Sequence, residues 1–134
     1  MKYRSGFSLI EVMTVLAIMG ILAAIVYPTY ISSIQKSARA AAKNTMTQVS
    51  QREERYFTEN NKYASLTAIG YSAATVYSDN NTHAITIAAG TTALIDTSFV
   101  ISAVPQRTDS ICGTLTLNNV GTWTNSVGGP PSTC

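Results

Sequence analysis

One acidic side chain sits where few are tolerated. Glu11 lies at the head of an apolar run, and from Val12 to Gln35 no charged residue follows. An ionised carboxylate carried to the centre of a bilayer costs up to about 3.5 kcal/mol, so Glu11 needs a cationic partner. Phe7 stands four positions earlier, on the same helical face. Before it, Lys2-Tyr3-Arg4-Ser5-Gly6 is a short basic leader that ends in glycine. A secretory signal is cut after its apolar region, which is then lost. A cut between Gly6 and Phe7 would keep that region instead. The residues leave one alternative open, a plain signal anchor with a snorkelling glutamate.

The other reactive side chains are sparse. Cys112 and Cys134 allow one intramolecular pairing; in an oxidising compartment it would close a loop worth about 3 kcal/mol to a small domain. Two separate buried thiols are the other reading, and no CxxC spacing marks a redox site. His83 is the only histidine, so a histidine metal cluster or a Ser-His-Asp set has nothing else to recruit. A surface strand position is expected for it. Asp79, Asp96 and Asp109 lack calcium-loop spacing, and Gly128-Gly129 is followed by no Lys-Ser or Lys-Thr. Glu53, Glu54 and Glu59 interleave with Arg52 and Arg55, which reads as solvated pairs or as charge matching between subunits. Lys36, Arg39 and Lys43 share a helix face. They suit solvent, anionic headgroups or acids of a neighbour. No enzyme active site, cofactor or metal is expected.

The N-terminal residues Gly6-Phe7-Ser8-Leu9-Ile10-Glu11, the uninterrupted apolar helix after them and Pro28 resemble the type IV pilin family and its relatives, the pseudopilins of secretion machines. The resemblance implies that prepilin peptidase cuts between Gly6 and Phe7 and methylates the new amine on Phe7. It assigns Glu11 to pairing with the terminal amine of a neighbouring subunit during assembly. An amine is also the physical partner that makes a carboxylate tolerable in an apolar bundle. Asp109-Ser110-Ile111-Cys112-Gly113-Thr114-Leu115 looks most like the PilE-type minor pilins. In pilins a cysteine-bounded loop near the C-terminus is typical, which places Cys112 and Cys134 in a disulfide.

These residues need elements to carry them. The chain has 134 residues, nine basic and seven acidic; without Lys2 and Arg4 the charges balance, so composition does not suggest a nucleic-acid protein. Basic residues flank the apolar run on both sides, so the positive-inside count does not settle its orientation. Three segments result: a leader over 1–6, a transmembrane or filament-core helix over 7–34, and a globular head over 35–134. The helix is expected to continue to about Thr58, a rod of about 78 Å. Its buried stripe reads Ile31, Ile34, Ala38, Ala42, Thr45, Val49 and Tyr56, widened by Met46 and Phe57. Pro28 should kink it, and Gly20 begins the weakened stretch. Tyr27 and Tyr30 suit either a headgroup belt or packing. Glu59-Asn60-Asn61 ends the helix, and Ala64 to Asn81 reads as a connecting loop. Strands are expected at His83–Ala88, Ser98–Val104, Cys112–Leu117 and Thr122–Thr124, with a turn at Asn118–Gly121. The tail Ser126–Thr133 has no regular element.

The fold class is therefore α+β, a long N-terminal helix packed on a small antiparallel sheet. The resemblance implies a structural subunit of a type IV pilus, most consistent with a minor pilin that is incorporated into or primes the filament and supports assembly, twitching motility and adhesion. A pseudopilin of a type II secretion system is the alternative. Expected partners are other pilin subunits, prepilin peptidase, the inner-membrane assembly platform and, before assembly, the membrane itself. DNA is not an expected partner, since Lys62 and Arg107 alone are thin support for a basic, aromatic-lined surface. The location is the inner membrane, then the cell-surface pilus.

Overall fold

A computed structural model describes residues 7–90, 94–128 and 134. The leader with Gly6, and the tail from Gly129 to Thr133, lie outside the described residues. The chain divides into two compact units, Met1–Ile34 and Gln35–Cys134.

Helix α1 spans Leu9–Asn60, 52 residues. It opens where the Ser8 carbonyl accepts the Glu11 and Val12 N–H groups at 3.0 and 3.3 Å, and Glu11 places negative charge at the positive end of the helix dipole. The helix runs through Gly20 and Pro28 without a break. Around the proline, the hydroxyls of Thr29 and Ser33 donate to carbonyls one turn back, Ile25 and Thr29, at 3.2 and 3.0 Å. The helix closes as the sequence expects: Asn61 takes a left-handed φ of 55°, and its N–H donates to the Phe57 carbonyl at 2.7 Å.

In the second unit, α1 buries Arg39, Ala42, Met46, Val49 and Glu53. Their spacing of three and four defines one stripe. It keeps Ala42, Met46 and Val49 of the expected stripe, leaves Ile31 and Ile34 exposed, and adds a charged residue at each end. Arg39, expected on a basic face, is only 3% exposed, and Glu53, expected among solvated pairs, is fully buried. Two long charged side chains are taken inward because each meets a polar loop group there, described below.

Five strands form one antiparallel sheet in the order β1-β2-β3-β4-β5. They are β1 (Val76–Tyr77), β2 (His83–Ala89), β3 (Phe99–Pro105), β4 (Leu115–Asn118) and β5 (Trp123–Asn125). The last four match the expected strands within a few residues. β4 starts later than expected because Cys112 and Gly113 lie in a turn rather than a strand. β1 is the strand that the sequence did not show; two residues inside a polar loop give no alternation to read. Its Val76 and Tyr77 pair with Ile85 and Ala84.

The turn into β5 is built by Asn118. Its Oδ1 accepts the Val120 and Thr122 N–H groups at 3.1 and 2.8 Å, and Gly121 supplies the positive φ of 80°. Alternation sends Ile85, Phe99, Ile101, Ala103, Leu115 and Leu117 inward to join Ala42, Met46 and Val49 of α1 in one core. Each such large side chain contributes about 1.5–3 kcal/mol by leaving water. Tyr63, Leu66 and Ile69 of the connecting loop complete that core. Tyr63 stacks on Phe57 at 4.6 Å and meets Phe99 edge-on at 4.8 Å. The outward positions of β2 to β5 carry no charged residue.

Candidate functional site

The first unit offers a surface rather than a pocket. All residues from Phe7 to Ile31 are exposed, among them Phe7 at 83% and Tyr27 at 69%. This stretch is long and apolar enough to cross a membrane. So much contiguous apolar area belongs in lipid or against other helices. Phe7 stands two residues before α1, and Glu11 lies in its first turn. Gly20 leaves open space beside the helix, with nothing within 4 Å of where a Cβ would stand, which suits close approach by another helix. Gly6, the expected residue before the cut, is outside the described residues.

In the second unit, the disulfide joins Cys112 to Cys134 with a Cα separation of 5.6 Å. The turn that carries Cys112 is organised by Asp109. Its Oδ1 accepts the N–H groups of Ile111 and Cys112 at 3.1 and 3.2 Å, and its carbonyl accepts that of Gly113 at 2.9 Å. Both carboxylate oxygens receive Arg39, Nε at 2.6 Å and Nη2 at 2.7 Å. The pair is almost wholly buried. The Arg39 bonds hold the Asp109 carboxyl down to about 2, against the opposing effect of burial and with help from the two N–H groups. Gly113 has φ of 59°, and a Cβ there would collide with Ser126 Oγ, which itself accepts the Thr114 N–H at 3.0 Å.

His83 lies beside this pair. It is 3% exposed, not the surface residue expected, because its place on β2 faces the core. Its Nδ1 is 3.2 Å from Thr82 Oγ1, while Nε2 has no partner among the described residues. Burial lowers its pKa; Asp109 acts against that and Arg39 with it. Sequence reasoning missed this Arg39–Asp109–His83 cluster. The available signal was the spacing Arg39, Ala42, Met46, Val49, Glu53, an unbroken three-four repeat that places a charge at each end of an apolar stripe.

Elsewhere on the head, Lys43 stands over Trp123 at 5.8 Å and Arg52 over Tyr71 at 4.4 Å. Lys36, Lys62 and Arg107 are exposed. Among the described residues, no group of three His, Cys, Asp or Glu side chains could hold a metal ion.

Comparison with known proteins fits this geometry. A family model described as type IV minor pilin ComP, DNA uptake sequence receptor, matches residues 28–116. A second, the prokaryotic N-terminal methylation motif, matches residues 1–27. The chain is 39% identical over 59 residues to the type IV major pilin protein PilA of Myxococcus xanthus (strain DK1622), an alignment covering 44% of this chain and 27% of that protein. The chain thus spans about a quarter of the relative it matches. The family description runs against the expectation that DNA is not a partner. The expectation rested on charge balance, and a whole-chain count says nothing about where cations gather. With the methylation motif over the exposed apolar helix and the larger match running from Pro28 into β4, this chain belongs to the ComP family of type IV minor pilins.

Proposed function

We propose that this chain is a minor subunit of a type IV pilus. The observation that carries the reading is the exposed apolar surface from Phe7 to Ile31, with its one carboxylate at Glu11, in a chain whose head completes its own core without it. Prepilin peptidase cuts between Gly6 and Phe7 and methylates Phe7. The helix waits in the inner membrane, then the assembly platform moves it into a bundle with other pilin subunits, where the Phe7 amine of one subunit pairs with Glu11 of the next. Gly20 and Pro28 are the positions where the helix bends or loosens, since Pro28 removes one backbone donor. The mature subunit resides in the cell-surface pilus, where it supports assembly, twitching motility and adhesion.

The test is quantitative intact-mass spectrometry of filaments sheared from cells. A chain that begins at methylated Phe7, carries the disulfide and is present in small proportion supports the reading. Dominance of the fraction would make it a major pilin. Processing in the membrane with absence from the filament would favour the pseudopilin alternative.

A second role within the same subunit, DNA capture, is favoured by the family match over residues 28–116. Because the outward sheet face is uncharged, phosphates would be met by cations on α1 and the loops, chiefly Lys36, Lys62 and Arg107. Binding of duplex DNA by the detergent-solubilised full chain, weakening steeply with salt, supports this role. Absence of binding at low salt removes it.

A further inference from the structure

A pair of neighbouring carboxyls holds the start of the loop after α1. Glu53 is fully buried. Its Oε2 accepts the Ala64 N–H at 3.1 Å, and its Oε1 has no partner among the described residues. Glu54 accepts the Tyr63 hydroxyl at 3.1 Å, so adjacent acids grip adjacent loop residues. Tyr63 in turn donates its N–H to the Asp96 carbonyl at 3.2 Å, which ties the loop to the segment between β2 and β3. Beyond Ala64, Leu66 and Ile69 are buried, and the Tyr71 N–H returns to the Leu66 carbonyl at 3.0 Å. The nearby cations of α1 are engaged elsewhere: Arg52 lies over Tyr71, and Arg55 pairs with Glu59 at 3.5 Å.

A buried carboxyl with one hydrogen bond and no cation is tolerable when neutral. When ionised, it leaves a charged oxygen unsolvated beside another carboxylate. The simplest relief is to move into water, which gives up the Ala64 bond. We propose that Glu53, with Glu54 beside it, is a proton-operated latch on the loop after α1: the neutral carboxyl holds Ala64 against the helix, and ionisation releases residues 63–70. The latch is independent of how the N-terminal helix assembles.

The titratable groups acting on Glu53 are Glu54 and Tyr63. Burial, opposed by the Ala64 bond and reinforced by Glu54, pushes its pKa from 4.5 to about 7. A raised carboxyl pKa means that the closed loop prefers the proton. Closure is therefore full below the ordinary carboxyl value, weakens as pH rises, and levels off above the raised value.

The experiment is amide hydrogen exchange of the full chain in detergent micelles, followed by NMR with the intrinsic pH dependence divided out. With Glu53 titrating at about 7 closed and 4.5 open, opening at Ala64 should rise about 30-fold from about pH 5.5 to 8.5, and it should stay easier than the global opening that Val49 in the core reports. Glu53→Gln keeps an acceptor for Ala64 and removes the proton, so its opening should not depend on pH. A flat response in the wild type, opening at Ala64 no easier than at Val49, or an unchanged rise in Glu53→Gln would each overturn the latch. Should the variant not fold, the wild-type Glu53 carboxyl carbon is titrated instead. A midpoint shared with Ala64 opening supports the proposal and separate midpoints refute it.

Discussion

Replacing Arg39 by Met tests whether the buried pair with Asp109 holds the head together. The substitution keeps most of the side-chain volume but strands the Asp109 carboxylate, 7% exposed, on two backbone N–H groups. Removing one member of a buried pair costs about 3–5 kcal/mol. The depressed Asp109 pKa gives an independent figure: from 3.8 to about 2 corresponds to about 2.4 kcal/mol at neutral pH, most of it from Arg39. A loss of about 3 kcal/mol is expected for Arg39→Met, and a somewhat larger one for Asp109→Leu, which also abandons the N–H groups of Ile111 and Cys112. The double variant should lose at least about 2 kcal/mol less than the two single losses added, because no buried charge remains unpaired. Urea unfolding of the full chain in micelles reads this, with Trp123, the sole tryptophan, as reporter. Asp109 binds its proton more weakly in the folded state, so the pair's contribution is present above about pH 4 and fades as pH falls through about 2. Single losses under about 1 kcal/mol, full additivity, or a gap between wild type and Arg39→Met that persists at about pH 2 would each refute the reasoning.

Other perturbations have equally definite outcomes. Reducing Cys112–Cys134, or replacing both by Ser, should cost about 3 kcal/mol for a closed loop of separation 22, measured by the same Trp123 unfolding with and without reductant. His83 is held neutral by burial, so its contribution is present above its ordinary value of 6.5 and is lost as pH falls below it. Between about pH 7 and 5, where Glu53 acts in the opposite direction, the melting temperature of the wild type should fall relative to that of His83→Phe. Glu11→Ala should leave the chain stable in the membrane yet sparse in sheared filaments on quantitative blotting, and normal incorporation would remove the pairing role. A bulky residue at Gly6 should block leader removal, with a mature-length band as the contrary result.

What the sequence made legible was periodic. A charge-free run from Val12 to Gln35 reads as a long apolar helix whatever surrounds it, and the alternation through Ile85, Ile101 and Leu115 reads as strands. Two cysteines admit one pairing. What stayed hidden depended on contacts between distant positions. Arg39 and Asp109 lie 70 positions apart, and neither periodicity nor composition distinguishes an arginine with a buried carboxylate waiting from one facing water. His83 reads as a strand residue, but only the phase of β2 against the core decides its face, and Ile85 carries that phase in a residue type that His83 does not share. β1 escaped because a two-residue strand is defined by its partner, Ile85 and Ala84, rather than by its own pattern. In the apolar helix, Glu11 was legible for the opposite reason: a carboxylate among so many apolar residues is conspicuous without any partner in view.

Arg39 and Glu53 also answer a question that an apolar stripe leaves open. Ala42, Met46 and Val49 offer similar surfaces at each turn, so a sheet packed on them alone could slide along α1 by three or four residues at modest cost. Arg39 and Glu53 terminate the stripe about 21 Å apart along the helix axis. One takes the turn bearing Cys112 through Asp109, and the other takes the loop at Ala64. A shift of one turn would leave a guanidinium and a carboxyl buried without those bonds, a penalty of several kcal/mol that no regained apolar contact offsets. Buried polar side chains therefore fix the register of sheet and loops on the helix, which apolar packing between those two positions does not.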